Sequence, residues 1–353
     1  MKYPIFFPDA TRAVVKTLDS TDIGSTKTEG ILVNTYHLYR DLGRTFFKKR
    51  SVAEFMKWDG HIVSDSGGFQ VMSIAKKQSR KNAVTNAGVR FKTDKGKTIL
   101  FTPKMSIDFQ FLLGTDLMVV LDDFTPPGAS YNEAKDTVER TILWAEKCKR
   151  VYGKNLKNHK GKKRPLLIGV VQGGEYLDLR RKCTRALAEI GFDGFGYGGW
   201  PIDSKGNFNY EVAKIIADEA PDNYLLYGLG IGKPEEIRGC VSLGYHIFDC
   251  VLPTRDARHK RLYVYDAKSI DDINVRAQKF YSYYVPNKQK YFKDDRPVST
   301  ACDCLLCTNY SRAYFAHLWR IKESSALRLA TIHNLRFYSL LMEKLGEELH
   351  PSS

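Results

Sequence analysis

Short apolar runs that end in polar or glycine-rich groups recur along this chain, with helix-like spacing in several of the gaps between them. GILVNTYH passes Asn34, HIVSDSGG reaches Asp65, LMVVLDD reaches Asp122 and LLIGVVQGG reaches Gln172. GFGYGGW to Gly199, NYLLYGLG to Gly230 and HIFDCVLP to Asp249 continue the series. Apolar runs of this length bounded by turn formers read as buried strands. In the gap Tyr131 to Lys149, Ala134, Val138, Ile142 and Ala145 recur at helix spacing. Strands alternating with helices predict a parallel sheet, and at least seven of them favour a closed (β/α)8 TIM-type barrel over an open doubly wound sheet. In such a barrel the strand C-termini share one mouth, so Asp65, Asp122, Gln172, Gly199 and Asp249 are expected to converge. From about Lys288 the alternation stops. The expected division is a barrel over 1–287 and a second, C-terminal unit over 288–353.

The 353 residues are 43% hydrophobic, enough to bury a sizeable core and too apolar for a disordered chain. Near the N-terminus, Ile5, Phe6 and Phe7 between two prolines make a run too short for a signal peptide, and no other run approaches a membrane span. Charge sharpens the picture. Lys and Arg total 55 against 40 Asp and Glu, a formal +15, which favours polyanionic partners, nucleic acid before membrane surface. One run, Lys147 to Arg164, carries nine bases and no acid; it reads as a loop, either solvated or touching a phosphate backbone. A second cluster, Arg255, Arg258, His259, Lys260 and Arg261, follows Asp249. A carboxylate at the mouth of a buried strand beside a cationic loop suits chemistry on a polyanion, although an Asp cap before a solvated loop has the same appearance.

Seven cysteines are an odd count, and three of them are packed into CDCLLC. This fits a reducing, cytoplasmic compartment and a metal site better than a disulfide framework. Cys302, Cys304 and Cys307 at C-x-C-x-x-C spacing can wrap a tetrahedral ion, zinc being the usual choice. The fourth ligand is either His333, on the helix-like stretch Leu327 to Leu345, or His317. Four protein donors would make the metal structural.

At the expected mouth, Asp with Gln suits a guanine-like base: the carboxylate accepts from ring N–H and amino groups while an amide or backbone N–H donates to the carbonyl. Two further carboxylates could divide the breaking of a glycosidic bond, one as nucleophile and one as acid. Asp123 beside Asp122 leaves that assignment open, and an aldolase-like barrel stays close behind a sugar- or base-processing hydrolase.

The blocks NTYHL (34–38), SDSGGFQVMS (64–73), LDDFTPP (121–127), GVVQGG (169–174) and GFDGFGYGGW (191–200) resemble the tRNA-guanine transglycosylases, or queuine tRNA-ribosyltransferases. YGLGIGKPEEI (227–237), FDCVLPTR (248–255), CDCLLC (302–307) and HNLRFY (333–338) continue the match in order. The resemblance implies a (β/α)8 barrel with a zinc-bearing unit, a homodimer, and exchange of guanine at the tRNA wobble position for a free 7-deazaguanine base. It implies Asp249 as nucleophile and Asp65 as general acid/base. It further implies Asp122, Gln172, Gly199 and the Trp200 carbonyl as base readers, Phe69 and Tyr227 as the faces enclosing the base, and Arg255 and Arg258 as anticodon-loop contacts. His333, 26 residues beyond Cys307, falls at the family's interval for the fourth zinc ligand. The chain departs from the usual bacterial pattern at Phe124, Trp200, Tyr227 and in DARHK after the shared PTR. These departures put the incoming base in question, and the bulk of Trp200 and Ile202 points to a small substituent. A non-catalytic RNA-binding homologue and an enzyme acting on DNA are the competing readings.

Overall fold

The computed structural model describes residues 1–78, 83–94, 96–159, 163–203 and 205–349. Eight strands form its centre: β1 (Ile5–Pro8), β2 (Gly30–Asn34), β3 (His61–Asp65), β4 (Leu117–Val119), β5 (Leu166–Val171), β6 (Gly194–Tyr197), β7 (Leu225–Gly228) and β8 (Ile247–Cys250). They pair in parallel in the order β1-β8-β7-β6-β5-β4-β3-β2. The two ends of that order meet. Asp9 bridges Leu32 in parallel, the Ala10 N–H donates to the Leu32 carbonyl at 2.7 Å, and the Asn34 N–H donates to the Thr11 carbonyl at 3.1 Å. The expected barrel is therefore present, and seven of its strands lie on the apolar runs read from the sequence.

The eighth, β1, lies on the Ile5–Phe7 stretch, which carried no strand expectation. Proline ordinarily argues against a strand because it has no N–H to donate. Here Pro4 precedes the strand and Pro8 ends it, so the ladder loses little. Parallel strands are covered on both faces, which is why β5 is buried from Leu167 through Val171 and reads as a continuous apolar run rather than an alternating one.

The helix after β4 runs Tyr131–Lys157, well past Lys149, and its start is set by a capping box in which Ser130 and Glu133 satisfy each other's backbone N–H. At 27 residues it is about 40 Å long. It carries the basic run from Lys147 to Lys157 as helix, correcting the expected loop, while Lys160 and Lys162 lie outside the described residues. Because this helix leads back to the start of β5, that run sits at the end of the barrel opposite the strand C-termini. Between β3 and β4 a small antiparallel sheet (Val84–Thr85, Gly88–Lys92, Thr98–Phe101) interrupts the alternation, which the apolar pattern does not foretell.

After β8 the chain forms a short helix, Leu252–Arg258, where a cationic loop was expected. An antiparallel hairpin follows (Leu262–Tyr265 with Tyr281–Tyr284), then helices Leu305–Asn309, Arg312–Arg320 and Ser324–Leu349. The last helix packs against β1, where Phe6 and Tyr338 have ring centroids 4.6 Å apart. Among the described residues, no helix is long and apolar enough to cross a membrane.

Candidate active site and metal centre

Strand register brings the mouth together. Asn34 ends β2 in register with Asp65 at the end of β3, and donates its side-chain amide to the Asp65 carboxylate at 2.7 Å. The other Asp65 oxygen accepts the backbone N–H of Gly67 at 3.0 Å and of Thr35 at 3.3 Å. Asn34 is itself fixed, since its side-chain oxygen accepts the His37 N–H and caps the helix Thr35–Asp41. Burial pushes the Asp65 carboxyl up to about 7 despite these hydrogen bonds, and the nearby Asp9 charge adds to the rise.

Asp249, on β8, is 9% exposed and accepts the Gly230 N–H at 3.1 Å. Burial, and next the charge of Asp9, push it up to about 7 as well. Tyr227 on β7 has no exposed surface, and its buried hydroxyl lies against Asp249 without a hydrogen bond of ordinary geometry. It therefore stands behind the Asp249 carboxyl rather than on an open pocket wall.

Asp9 is the residue that sequence reasoning missed. It follows β1, whose Phe7 is the register partner of Asp249, and it acts electrostatically on both Asp65 and Asp249. Its own carboxyl is pushed up to about 6 by burial, and no protein group among the described residues hydrogen-bonds to it. The only signal in the sequence was its place after an apolar run that prolines disguised.

The base-reading candidates gather on the far side of the ring. Gln172, wholly buried just past β5, donates to the Asp122 carboxylate at 2.6 Å and accepts the Thr125 N–H at 3.1 Å. An amide nitrogen carries two protons, so one remains for a ligand. Asp122 is raised to about 6 by burial. Its neighbour Asp123 is 5% exposed and ion-paired with Arg140 on the long helix, so the two carboxylates have different partners. Gly199 has φ +86°, and a Cβ there would stand 3.2 Å from the Gln172 Oε1. Phe69 and Trp200 are 55% and 56% exposed, and Phe69 meets Phe124 edge to face with centroids 5.1 Å apart. Arg255 is exposed on the helix after β8, whereas Arg258 is partly buried and donates to the Thr254 carbonyl at 2.7 Å.

The metal-ligating candidates form a separate cluster. Donor atoms of Cys302, Cys304, Cys307 and His333 all lie within 4.8 Å of one another. The three sulfurs are 3.7, 3.5 and 3.3 Å from His333 Nδ1. An ion with bonds of about 2.3 Å to sulfur and about 2.0 Å to nitrogen at tetrahedral angles places such atoms roughly 3.5 Å apart, so the four residues fit a tetrahedral ion. The other ring nitrogen, Nε2, donates to the Tyr263 carbonyl at 2.7 Å, which leaves the Nδ1 lone pair facing the thiols. His317 is exposed, beside Arg320 and outside the cluster.

A family model described as queuine tRNA-ribosyltransferase matches residues 1–351. The chain belongs to that family. Curated members similar to it are also named queuine tRNA-ribosyltransferase. That of Thermoanaerobacter pseudethanolicus is 37% identical, over 98% of this chain and 86% of that protein. That of Caldanaerobacter subterraneus subsp. tengcongensis is 38% identical over the same shares, and that of Staphylococcus haemolyticus is 35% identical, over 98% of this chain and 85% of that protein. In a parallel barrel, chemistry belongs at the strand C-termini. A cavity of about 830 Å³ lined by Tyr3, Phe6, Tyr338 and Met342 is at the start of β1, the opposite end, and holds none of these carboxylates.

Proposed function

We propose that this chain is a tRNA-guanine transglycosylase that exchanges guanine at the wobble position of tRNA for a 7-deazaguanine base. The observation that carries the reading is a pair of poorly solvated carboxyls, Asp249 buried and Asp65 half-buried, held at one mouth by separate hydrogen-bond sets and both pushed up to about 7. A nucleophile must be ionised and a general acid protonated in the same site, and two interacting carboxyls near 7 supply that mixed state around physiological pH.

In the first half-reaction an Asp249 oxygen bonds to the ribose C1′ while the C1′–N bond breaks, its electron pair leaving with guanine. Asp65 gives its proton to the departing base. In the second half-reaction Asp65 takes a proton from the incoming base, whose nitrogen displaces Asp249 from C1′ and restores the original configuration. Asp122 would accept from the N–H groups of the base, and the free Gln172 proton and the Gly199 N–H would donate to its carbonyl. Phe69 would cover an exposed face, the Trp200 carbonyl would meet a substituent on the incoming base, and the bulk of Trp200 and Ile202 favours a small one. Arg255 and Arg258 would meet the anticodon loop. A flexible loop lets the target base leave its stack at modest cost.

The metal we assign is zinc, because three thiolates and an imidazole are a donor set zinc takes in closed structural sites. It would hold the C-terminal unit, 288–353, in place and take no part in the exchange. A cytoplasmic homodimer is the assembly that fits this reading.

The test is incubation of the protein with unmodified tRNA and, separately, guanine, aminomethyl-deazaguanine, cyano-deazaguanine or queuine, followed by mass spectrometry of the digested nucleosides. Incorporation of a deazaguanine with a small substituent is expected. Asp249→Asn should bind tRNA and form no covalent adduct. Failure of every base, labelled guanine included, would overturn the reading in favour of a DNA substrate or a non-catalytic RNA-binding subunit.

A further inference from the structure

Arg180 is among the largest wholly buried side chains in the protein, with no exposed surface. It lies in the first turn of the helix Leu177–Ile190 that follows β5. Its guanidinium makes no ion pair among the described residues. Instead Nη1 donates to the carbonyls of Val171 at 2.6 Å and Gly198 at 2.8 Å, and Nε donates to that of Gly174 at 2.9 Å. Its carbon stands 5.0 Å from the centre of the Tyr197 ring. The remaining nitrogen, Nη2, is buried without a partner, and a Cβ built on Gly199 would be 3.4 Å from it. A buried cation without a counterion is costly and calls for a reason.

The carbonyls it holds supply one. Val171 ends β5 and Gly198 directly follows the neighbouring strand β6, and the peptide units that begin at them carry the N–H groups of Gln172 and Gly199. The Gly198 carbonyl and the Gly199 N–H are two ends of one peptide group. A cation donating to that oxygen polarises the group and makes its N–H a stronger donor. Gly199 can present this N–H because it adopts φ +86°, where a side chain is strained.

We propose that Arg180 is the positioning residue of the base-reading edge: it locks the Gly198–Gly199 peptide against β5 and polarises the Gly199 N–H towards the base carbonyl as negative charge builds on the departing base. The inference rests on the function proposed above. Arg180 moves no proton; the electron pair of the C1′–N bond passes to the base, and a fixed positive charge behind the donor lowers the energy of that state more than the energy of the bound tRNA. Preorganised donors aimed at developing charge act in this way.

The experiment compares wild type, Arg180→Lys and Arg180→Gln in the full chain. Single-turnover formation of the covalent adduct with unmodified tRNA and steady-state exchange of labelled guanine are measured beside tRNA affinity and a melting curve. Losing one donor to developing charge typically lowers a rate by 10²–10³, so a fall of roughly 100-fold in adduct formation is expected for Arg180→Gln, with tRNA affinity unchanged. Arg180→Lys keeps the charge but cannot bond the carbonyls of both strands at once, and a smaller fall of about 10-fold is expected. Since Arg180→Gln strips donors from three carbonyls and can unfold the mouth, Arg180→Lys decides the matter if the glutamine variant does not melt cooperatively. Adduct formation at the wild-type rate in Arg180→Lys, or a loss matched by an equal loss of tRNA affinity, overturns the proposal. A wild type that exchanges no guanine overturns the function instead.

Discussion

At the scale of single residues, the mouth is a problem of shared protons. Asp9, Asp65 and Asp249 are carboxyls in one poorly solvated region, and each is pushed above the usual carboxylate range chiefly by burial. Tyr227 and Cys250 also face this group, and both are held protonated by burial and by these charges. An ionised Asp9 disfavours ionisation of the other two. Asp9→Asn should therefore shift both limbs of the pH–rate profile for adduct formation to lower pH, and limbs that stay in place would remove Asp9 from the reaction centre. The stability consequence has a definite sign. An acid whose folded value lies above its unfolded value, about 4, stabilises relatively below that value and loses this as pH rises through 6 to 7. Wild-type Tm should fall between pH 5 and 8, and less steeply in Asp9→Asn. Neither effect was legible in the sequence, where Asp9 is one acid in a proline-flanked stretch.

At the scale of elements, the helix Ser324–Leu349 ties the Cys–His cluster to the barrel mouth. His333 faces the three thiols, and the next residue, Asn334, accepts the Tyr263 N–H at 3.1 Å and donates to the carbonyls of Pro253 and Arg261 at 2.9 and 3.0 Å. Pro253 belongs to the short helix that carries Arg255, immediately after Asp249. Metal binding to such a site is folding free energy for the elements it joins. Cys304→Ala should lose the one metal expected per chain and show a lower Tm, and its tRNA affinity should fall more than its far-ultraviolet circular dichroism changes. A variant that retains full metal content would mean that the donor set is wrong. The cysteine spacing was readable, and the family's 26-residue interval already favoured His333 over His317; the Tyr263 carbonyl behind the ring, which leaves Nδ1 facing the thiols, was not.

At the scale of the molecule, a net +15 favours a polyanionic partner but does not say where it would sit. The longest basic run, Lys147 to Lys157, lies on a helix that ends at the opposite side of the barrel from the carboxylates, while Arg255 projects beside them. Neutralising Arg255 should lower the slope of log affinity against log salt for tRNA by about 0.7 for each phosphate that the side chain no longer neutralises. Replacing Lys154, Lys157 and Lys163 by Ala should leave the slope near wild type. A flattened slope in that triple variant would show that tRNA wraps to the far end.

Local pattern alone determined much of this protein. Apolar runs ending in Asp, Gln and Gly marked seven strands and their C-terminal ends, because a strand buried on both faces must be apolar along its length. Three cysteines at close spacing marked a candidate metal site, because thiolates so near in sequence cannot lie far apart in space. Only the tertiary structure could choose between neighbours or recognise partners distant in the chain. It closed the ring through β1, tied Asp123 to Arg140 and left Asp122 with Gln172, and turned the basic run away from the mouth. It also set Arg180 behind the Gly199 peptide. These depend on register between strands and on which face of a helix meets the barrel, and both are fixed by packing among residues that the sequence keeps far apart.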